Sequence, residues 1–207
     1  MMQILIVAAT QPEIQPLIDH FGAEKPFDIL ITGVGMVATA FAMGSLKKYG
    51  LVLNLGIAGS FDREIALGDV VEVIEDRLSE LGAEDGDQFI PIEVLGFGGS
   101  IYTATAQLSD YIETFDLRKA TSITVNTVHG DDNTISLIKA RLNPQLESME
   151  GAAFLYACRQ LAIPGIQIRA VSNYVEKRNR DSWKIGIAVK NLNKFAIRFI
   201  EELICRP

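Results

Sequence analysis

Two glutamates are the first candidates for chemistry in this sequence. Glu13 follows the apolar run Ile4–Ala8 at the start of a predicted helix, and Glu150 directly precedes the small residues Gly151–Ala153. A carboxylate can take a proton from an attacking water or stabilise a developing positive charge. A solvated charge favoured by the helix dipole explains Glu13 equally well. Glu150 is better placed to face a pocket, because the small residues after it leave room for a ligand.

Small and polar residues end two of the predicted strands. Residues 54–60 include Ala58 and Gly59, where small side chains let the backbone approach a ligand closely. Ser172 and Asn173 end another strand and offer two polar groups. A tight turn or the start of a loop explains both segments equally well. In open α/β sheets ligands bind beyond the carboxyl ends of strands, so these segments are candidates for a shared site.

Other polar residues indicate no particular chemistry. Gly33-Val34-Gly35 precedes a helix, but no acid stands about 20 residues further on, which disfavours a dinucleotide site. Glu147 is interpreted as a surface charge. His20 and His129 are isolated and predict no metal site, and Cys158 is interpreted as a core residue.

The hydrophobic pattern predicts an α/β fold. Short β-branched runs alternate with helical segments, which is typical of a mostly parallel sheet covered on both faces. Without a linker or repeat, we expect one domain over residues 1–207, with loops from Ser79 to Thr103. The predicted strands are Ile4–Ala8, Ile29–Thr32, Leu51–Leu55, Asp69–Ile74, Ser122–Val128 and Gln167–Ser172. The predicted helices are Pro12–His20, Met36–Tyr49, Ile135–Leu142, Gly151–Leu161 and one capped by Asp181 that runs to about Glu202.

Composition excludes several classes of protein. The 207 residues carry a net charge of −7, which argues against a nucleic-acid binder. No apolar run reaches the ~18 residues of a membrane span, and the N-terminus lacks the basic region of a signal peptide. Two cysteines form no disulfide framework. We therefore expect a cytoplasmic protein without a membrane or nucleic-acid partner.

Together, these segments resemble the purine nucleoside phosphorylase/nucleosidase superfamily. Met149-Glu150 and the Gly-x-Ala-Gly of residues 56–59 carry the resemblance most specifically, and Ser172–Arg180 with Trp183–Gly186 resembles the branch that hydrolyses futalosine in menaquinone biosynthesis. The resemblance implies three α/β/α layers around a twisted, mixed and mostly parallel sheet. It also implies cleavage of an N-ribosidic bond, without a metal or organic cofactor. The matching segments are Ile4–Leu17, Leu30–Gly35, Asn54–Ser60, Gly68–Val70, Ser148–Ala152 and Ala170–Val189.

The resemblance also assigns catalytic roles. Glu13 matches the acid that activates water, Glu150 the acid that binds the ribose 2′-hydroxyl, and Met149 the residue packed on the sugar. Asn173 matches the residue that contacts the purine. A carboxamide there can donate to a 6-oxo group, which favours hypoxanthine as the leaving base, but it cannot supply a proton to N7. The related phosphorylases have an arginine at the position of Asn54, so we expect water rather than phosphate as the nucleophile.

The remaining predicted contacts belong to the base and to the 5′ group of the nucleoside. Futalosine carries a 5′ aromatic ketone with a carboxylate, for which Arg178 or Arg180 is a candidate cation and Tyr174 or Trp183 a candidate aromatic wall. The predicted substrate-binding residues are Ala58, Gly59, Val128, Met149, Ser172, Tyr174, Arg178 and Trp183, with Thr127 near the base-facing segment.

Alternative functions remain open at the level of sequence. They are a nucleosidase for methylthioadenosine, adenosylhomocysteine or the 6-amino analogue of futalosine, a phosphorylase, and a binding module without activity. The superfamily implies a homodimer or larger homo-oligomer. The apolar segment Met36–Tyr49 could form that interface, but packing in the core explains it equally well.

Overall fold

The computed structural model describes residues 2–205. None of the helices in this range is both long and apolar enough to cross a bilayer. The strands are β1 (Ile4–Ala8), β2 (Asp28–Ile31), β3 (Leu51–Ser60), β4 (Val70–Leu78), β5 (Gly82–Asp85), β6 (Gln88–Pro91), β7 (Ile101–Thr103), β8 (Lys119–Thr124), β9 (Leu146–Ser148) and β10 (Gly165–Tyr174). The helices are α1 (Gln11–Phe21), α2 (Met36–Met43), α3 (Asp132–Leu142), α4 (Gly151–Leu161) and α5 (Ile185–Ile204).

Eight strands form one mixed sheet, which confirms the prediction of an α/β fold. β1 pairs in parallel with β2 and β3, and β3 pairs in parallel with β10. β4 is antiparallel to β10 and β7 but parallel to β8, while β9 is parallel to β8 and antiparallel to β3. Because β3 pairs with both β10 and β9, the strands β3, β10, β4, β8 and β9 close into a ring. This closure was not predicted from the sequence.

Helices cover both faces of the sheet. α1 and α5 pack together over β3 and β10, where Ile14, Leu17 and Phe199 are buried against the strands. α2 and α4 pack on the other face around Met43 and Phe154. Burying these apolar side chains is the main favourable contribution to folding, at about 25 cal/mol per Å² removed from water.

Several predicted elements differ in extent from the structure. Residues 79–103 were predicted as loops, yet they contain the hairpin of β5 and β6 and the short β7. β3 continues through Gly56 to Ser60 instead of turning, because β10 and β9 supply partners along its length. α2 ends at Met43 rather than Tyr49. Asp181 lies in a 3₁₀ turn and does not cap α5, whose N-cap residue is Lys184.

Candidate active site

A cavity of about 420 Å³ opens where β1, β3, β9 and β10 approach one another. Its volume lies within the range typical of small-molecule sites. The residues after β1, the second half of β3 and the last residues of β10 form its walls, together with the N-terminus of α4 and the start of α5. Thr127 and Arg180 are not part of the cavity lining, but the other residues predicted for the site are: Glu13, Ala58, Gly59, Val128, Met149, Glu150, Ser172, Asn173, Tyr174, Arg178 and Trp183.

Glu13 is held in place by donors on two elements. Its Oε2 accepts hydrogen bonds from the backbone nitrogen of Thr10 at 3.0 Å and from the Thr10 hydroxyl at 2.8 Å. Its Oε1 accepts from the backbone nitrogen of Ile57 on β3 at 3.2 Å. Glu13 is therefore held at the cavity wall by the β1–α1 turn and by β3.

Glu150 stands at the N-cap of α4 and faces the same cavity. Its Oε1 accepts from the backbone nitrogen of Gly35 at 2.9 Å, and its Oε2 from that of Met149 at 3.3 Å. Gly35 has φ of 98°, a conformation that side chains rarely adopt. The glycine turn before α2 thus orients a carboxylate, which the sequence alone did not indicate.

Asn173 and Ser172 form a polar wall at the end of β10. The Ser172 hydroxyl donates to Asn173 Oδ1 at 2.8 Å, and Asn173 Nδ2 donates to the carbonyl oxygen of Tyr174 at 3.1 Å. A Cβ atom on Gly59 would lie 3.2 Å from Asn173 Nδ2, so the close approach of the strands needs a small residue there. These bonds leave one N–H and one lone pair of the amide for a ligand.

Aromatic and basic groups also line the cavity. The Arg178 guanidinium lies 5.1 Å from the centre of the Trp183 ring, and both residues line the cavity. Arg180, the other candidate cation, lies in the 3₁₀ turn outside the lining. Tyr174 stacks under Arg63, which forms an ion pair with Glu176. The structure thus places Arg178, and not Arg180, at the cavity.

Glu147 is buried, so its interpretation as a surface charge was wrong. Its side chain is 3% exposed and lines the cavity from β9. One carboxylate oxygen accepts from the backbone nitrogen of His129 at 3.0 Å, and the other contacts His129 Nδ1. Burial raises the pKa of Glu147, and the His129 contacts oppose that shift. The register of β9 against β3 decides this burial, and no local sequence signal predicts it.

Arg169 is a second residue that sequence reasoning missed. It is 1% exposed on β10, and its Nη2 donates to Asn54 Oδ1 on β3. Burial lowers the pKa of its guanidinium, while Glu150, Asp76 and Glu13 oppose that shift through their negative charges. An arginine stays protonated in proteins, so Arg169 is a buried cation near both cavity carboxylates.

Residues 2–205 contain no group of three or more His, Cys, Asp or Glu side chains arranged to hold a metal ion. The polar side chains that line the cavity are carboxylates, an amide, a histidine, hydroxyl groups and the Arg178 guanidinium.

Comparison with known proteins identifies the family. The model of the phosphorylase superfamily matches residues 3–204, which is nearly the whole chain. The chain therefore belongs to the phosphorylase superfamily.

Individual relatives show which members of the superfamily the chain is similar to. The chain is 34% identical over 176 residues to futalosine hydrolase from Streptomyces coelicolor, covering 80% of this chain and 75% of the relative. Among solved structures, futalosine hydrolase from Helicobacter pylori superposes with a TM-score of 0.81 at 17% identity, covering 98% of each chain. The methylthioadenosine/adenosylhomocysteine nucleosidase of the same organism, with butyl-thio-DADMe-Immucillin-A, gives 0.82 at 16% identity over 98% of this chain and 99% of that one. The two structures establish a shared fold.

Proposed function

We propose that this protein hydrolyses the N-ribosidic bond of futalosine, with water as the nucleophile, and releases hypoxanthine and dehypoxanthine futalosine. The named relatives confirm the prediction of a nucleosidase. The observation that carries the proposal is that Glu13 and Glu150, distant in sequence, line one cavity together with Asn173.

The two carboxylates have separate roles in this proposal. Cleavage of a glycosidic bond develops positive charge on the sugar. Glu150, beside Met149, binds the ribose 2′-hydroxyl and stabilises that charge. Glu13 accepts a proton from the water as it attacks C1′, a contribution typically worth about 10²–10⁴-fold in rate. Hydrogen bonds from backbone nitrogens hold both carboxylates in place at the cavity.

The surroundings of the buried Arg169 favour water over phosphate as the nucleophile. A phosphate dianion needs accessible, charged hydrogen-bond donors. Asn54 stands where the related phosphorylases have an arginine, and the buried Arg169 already donates to Asn54 and to the carbonyl oxygen of Ile168. Three carboxylates also offset its charge. These features support hydrolysis rather than phosphorolysis.

The base and the 5′ group would contact different residues of the cavity lining. Asn173 would donate to the 6-oxo group of hypoxanthine and accept from a protonated N7. Ala58, Gly59, Val128 and Ser172 would surround the base, and Tyr174 and Trp183 the aromatic 5′ group.

Arg178 is proposed to offset the carboxylate of the 5′ group. We expect Arg178→Gln to raise KM for futalosine about tenfold while kcat changes little, because a distal charge contributes mainly to binding. Arg180→Gln is the matched control and should leave KM unchanged, since Arg180 lies outside the cavity lining. Equal effects of the two substitutions would contradict the assignment.

The identity of the released base distinguishes the candidate functions. Futalosine, its 6-amino analogue, inosine and methylthioadenosine are each incubated with the protein, with and without phosphate, and the products are identified by mass spectrometry. We expect hypoxanthine and a free sugar from futalosine. Preferential release of adenine would favour a methylthioadenosine/adenosylhomocysteine or aminodeoxyfutalosine nucleosidase. A sugar 1-phosphate would establish a phosphorylase, and no turnover a silent binding module.

Some broader features belong to the same proposal. We propose a single domain over residues 1–207, with three layers around a mostly parallel sheet. The family match over residues 3–204 supports the single domain. In the eight-stranded sheet, five strand pairings are parallel and three are antiparallel, which supports a mostly parallel sheet. A cytoplasmic location and assembly into a homodimer or larger homo-oligomer complete the proposal.

A further inference from the structure

One chemical requirement of the proposed reaction has no group assigned to it. When the bond between C1′ and N9 breaks, its electron pair moves into the purine, and the departing base needs a proton. Asn173, which faces the cavity, is a carboxamide and has no acidic proton to give. Glu13 and Glu150 are engaged with water and ribose in the proposed mechanism. The proton must therefore come from another group in the cavity or from solvent.

The strand register places a titratable pair on the far side of Gly59 from Asn173. Gly59 is opposite Asn173 on β10 and opposite Glu147 on β9. Adjacent strands lie about 4.8 Å apart, so the backbones of Glu147 and Asn173 are roughly 10 Å apart with a glycine between them. Side chains at such paired positions share a face of the sheet, and both residues line the cavity. A flat base above Gly59 would lie between them.

The pair consists of Glu147 and His129. His129 Nδ1 contacts the Glu147 carboxylate, while its ring packs edge-on against Phe61 with centroids 6.2 Å apart. Its other ring nitrogen, Nε2, has no hydrogen-bond partner among residues 2–205. A carboxylate at Nδ1 orients an imidazole and stabilises its protonated form. The arrangement leaves Nε2–H as a donor that protein groups do not occupy.

We propose that His129 is the general acid that protonates the departing purine. Glu147 is the residue that orients the His129 ring and stabilises its protonated form. The inference rests on the proposed N-ribosidic hydrolysis. His129 Nε2–H gives its proton to a ring nitrogen of the base as the C1′–N9 bond breaks. The attacking water forms the new bond to C1′ and passes its proton to Glu13. Glu13 returns that proton to solvent, and His129 regains one, so that atoms and charges balance.

The surroundings of the pair are buried and charged. Burial raises the pKa of Glu147, while the hydrogen bonds and the Coulombic interaction with His129 oppose that shift. The other charged groups that face or adjoin the pair are Glu80, Asp131, Glu150, Glu176 and Arg178.

The pH dependence of kcat tests the proposal. Futalosine hydrolysis is followed from pH 5 to pH 9.5 in the wild type, His129→Gln and Glu147→Gln. The wild type should lose activity on the alkaline side as the pair deprotonates. His129→Gln should lower kcat about 10²-fold or more, change KM less than about threefold, and abolish the alkaline limb. Glu147→Gln should shift that limb to lower pH, because the imidazolium loses its negative partner.

The second histidine provides a matched control. His20 lies at the end of α1, paired with Glu201, and is not part of the cavity lining. His20→Gln should therefore leave both kcat and the pH profile unchanged. Circular dichroism of each variant separates loss of chemistry from loss of folding.

Different results would overturn the proposed hydrolysis and the role of the His129–Glu147 pair. A wild type that releases no hypoxanthine at any pH would defeat the proposed function and this inference with it. A wild type that is active but has no alkaline limb would defeat the role of the pair alone. So would a His129→Gln variant that keeps its kcat within about threefold, or that keeps the alkaline limb.

Discussion

The carboxylates of the cavity illustrate how one residue type acquires different roles from its neighbours. Glu13 accepts hydrogen bonds from the backbone nitrogens of Thr10 and of Ile57 on β3, and Glu150 accepts one from the backbone nitrogen of Gly35. Glu147 is buried against a histidine, and its pKa is raised. The first two are therefore held by backbone donors at the cavity wall, and the third is paired with His129.

Neutralising either catalytic carboxylate should stop turnover without unfolding the protein. We expect Glu150→Gln and Glu13→Gln each to lower kcat by about 10²–10⁴-fold, because each removes a charge that acts at the transition state. The measurement is steady-state hypoxanthine release, with thermal melting as the folding check. The exposed Glu64 offers the control Glu64→Gln, which should retain full activity. Activity within a few fold of wild type in Glu150→Gln would remove the basis of the mechanism.

The amide at position 173 should determine which base leaves. An aspartic acid there can donate to N7 and accept from a 6-amino group. Asn173→Asp should therefore shift the ratio of kcat/KM, for the 6-amino analogue relative to futalosine, by about tenfold or more towards the amino compound. Competition between the two substrates in one reaction measures the ratio directly. An unchanged ratio would mean that groups other than residue 173 distinguish the 6-oxo from the 6-amino purine.

At the scale of elements, β4 joins α4 to the site through a buried carboxylate. Asp76 accepts hydrogen bonds from the Thr124 hydroxyl at 2.8 Å and from Gln167 Nε2 at 2.9 Å. A Cβ atom on Gly151 would lie 2.1 Å from Asp76, so α4 can begin here only with a glycine. Thr124 in turn accepts from the backbone nitrogen of Ala152 at 2.7 Å. This network fixes the helix terminus that carries Glu150.

Asp76 should make folding stability depend on pH. Burial raises its pKa to about 6, above the value of an unfolded chain. Its favourable contribution is therefore complete below about pH 4 and is lost as the pH rises through about 6. Relative to Asp76→Asn, the wild-type free energy of unfolding should fall by up to about 3 kcal/mol between pH 4 and pH 7.

Denaturant titration at several pH values measures this difference. Asp85→Asn, at an exposed position of β5, should show no such trend. A constant difference between wild type and Asp76→Asn across that range would show that Asp76 does not titrate there.

Local sequence patterns predicted the bounds of helices and strands better than they predicted which strands pair. The bounds of β1 and α4 agree with the sequence prediction, because apolar periodicity and small residues act over a few positions. The closed ring depends on pairing between β3 and β10, more than a hundred residues apart, and no local signal encodes it. For the same reason Glu147 was misjudged and Arg169 overlooked. Each is buried only because a distant strand covers it.

At the scale of the whole molecule, α2 presents an apolar face to solvent. Val37 is 78% exposed and Phe41 is 87% exposed, which is unusual for side chains of this kind. The predicted packing of the segment in the core therefore accounts for Met43 but not for these two residues. The exposed pair supports the proposal that copies of the chain associate through α2.

A charge on this face should separate the copies. We expect the wild type to run as a dimer or larger species in size-exclusion chromatography with light scattering, and Phe41→Glu to run as a monomer. Phe97 is 79% exposed in a loop, and Phe97→Glu is the matched control that should leave the assembly intact. A monomeric wild type at micromolar concentration would refute the proposed assembly.

The ring of strands also means that β3 stays incompletely paired during part of the chain's synthesis. One edge of β3 is completed only when β10 emerges, about a hundred residues later, which takes roughly 5–20 s at ordinary translation rates. Until then an apolar strand offers unpaired backbone groups to any neighbouring chain. The hazard of misassociation is thus concentrated in that interval, and chaperone binding to nascent chains should peak there.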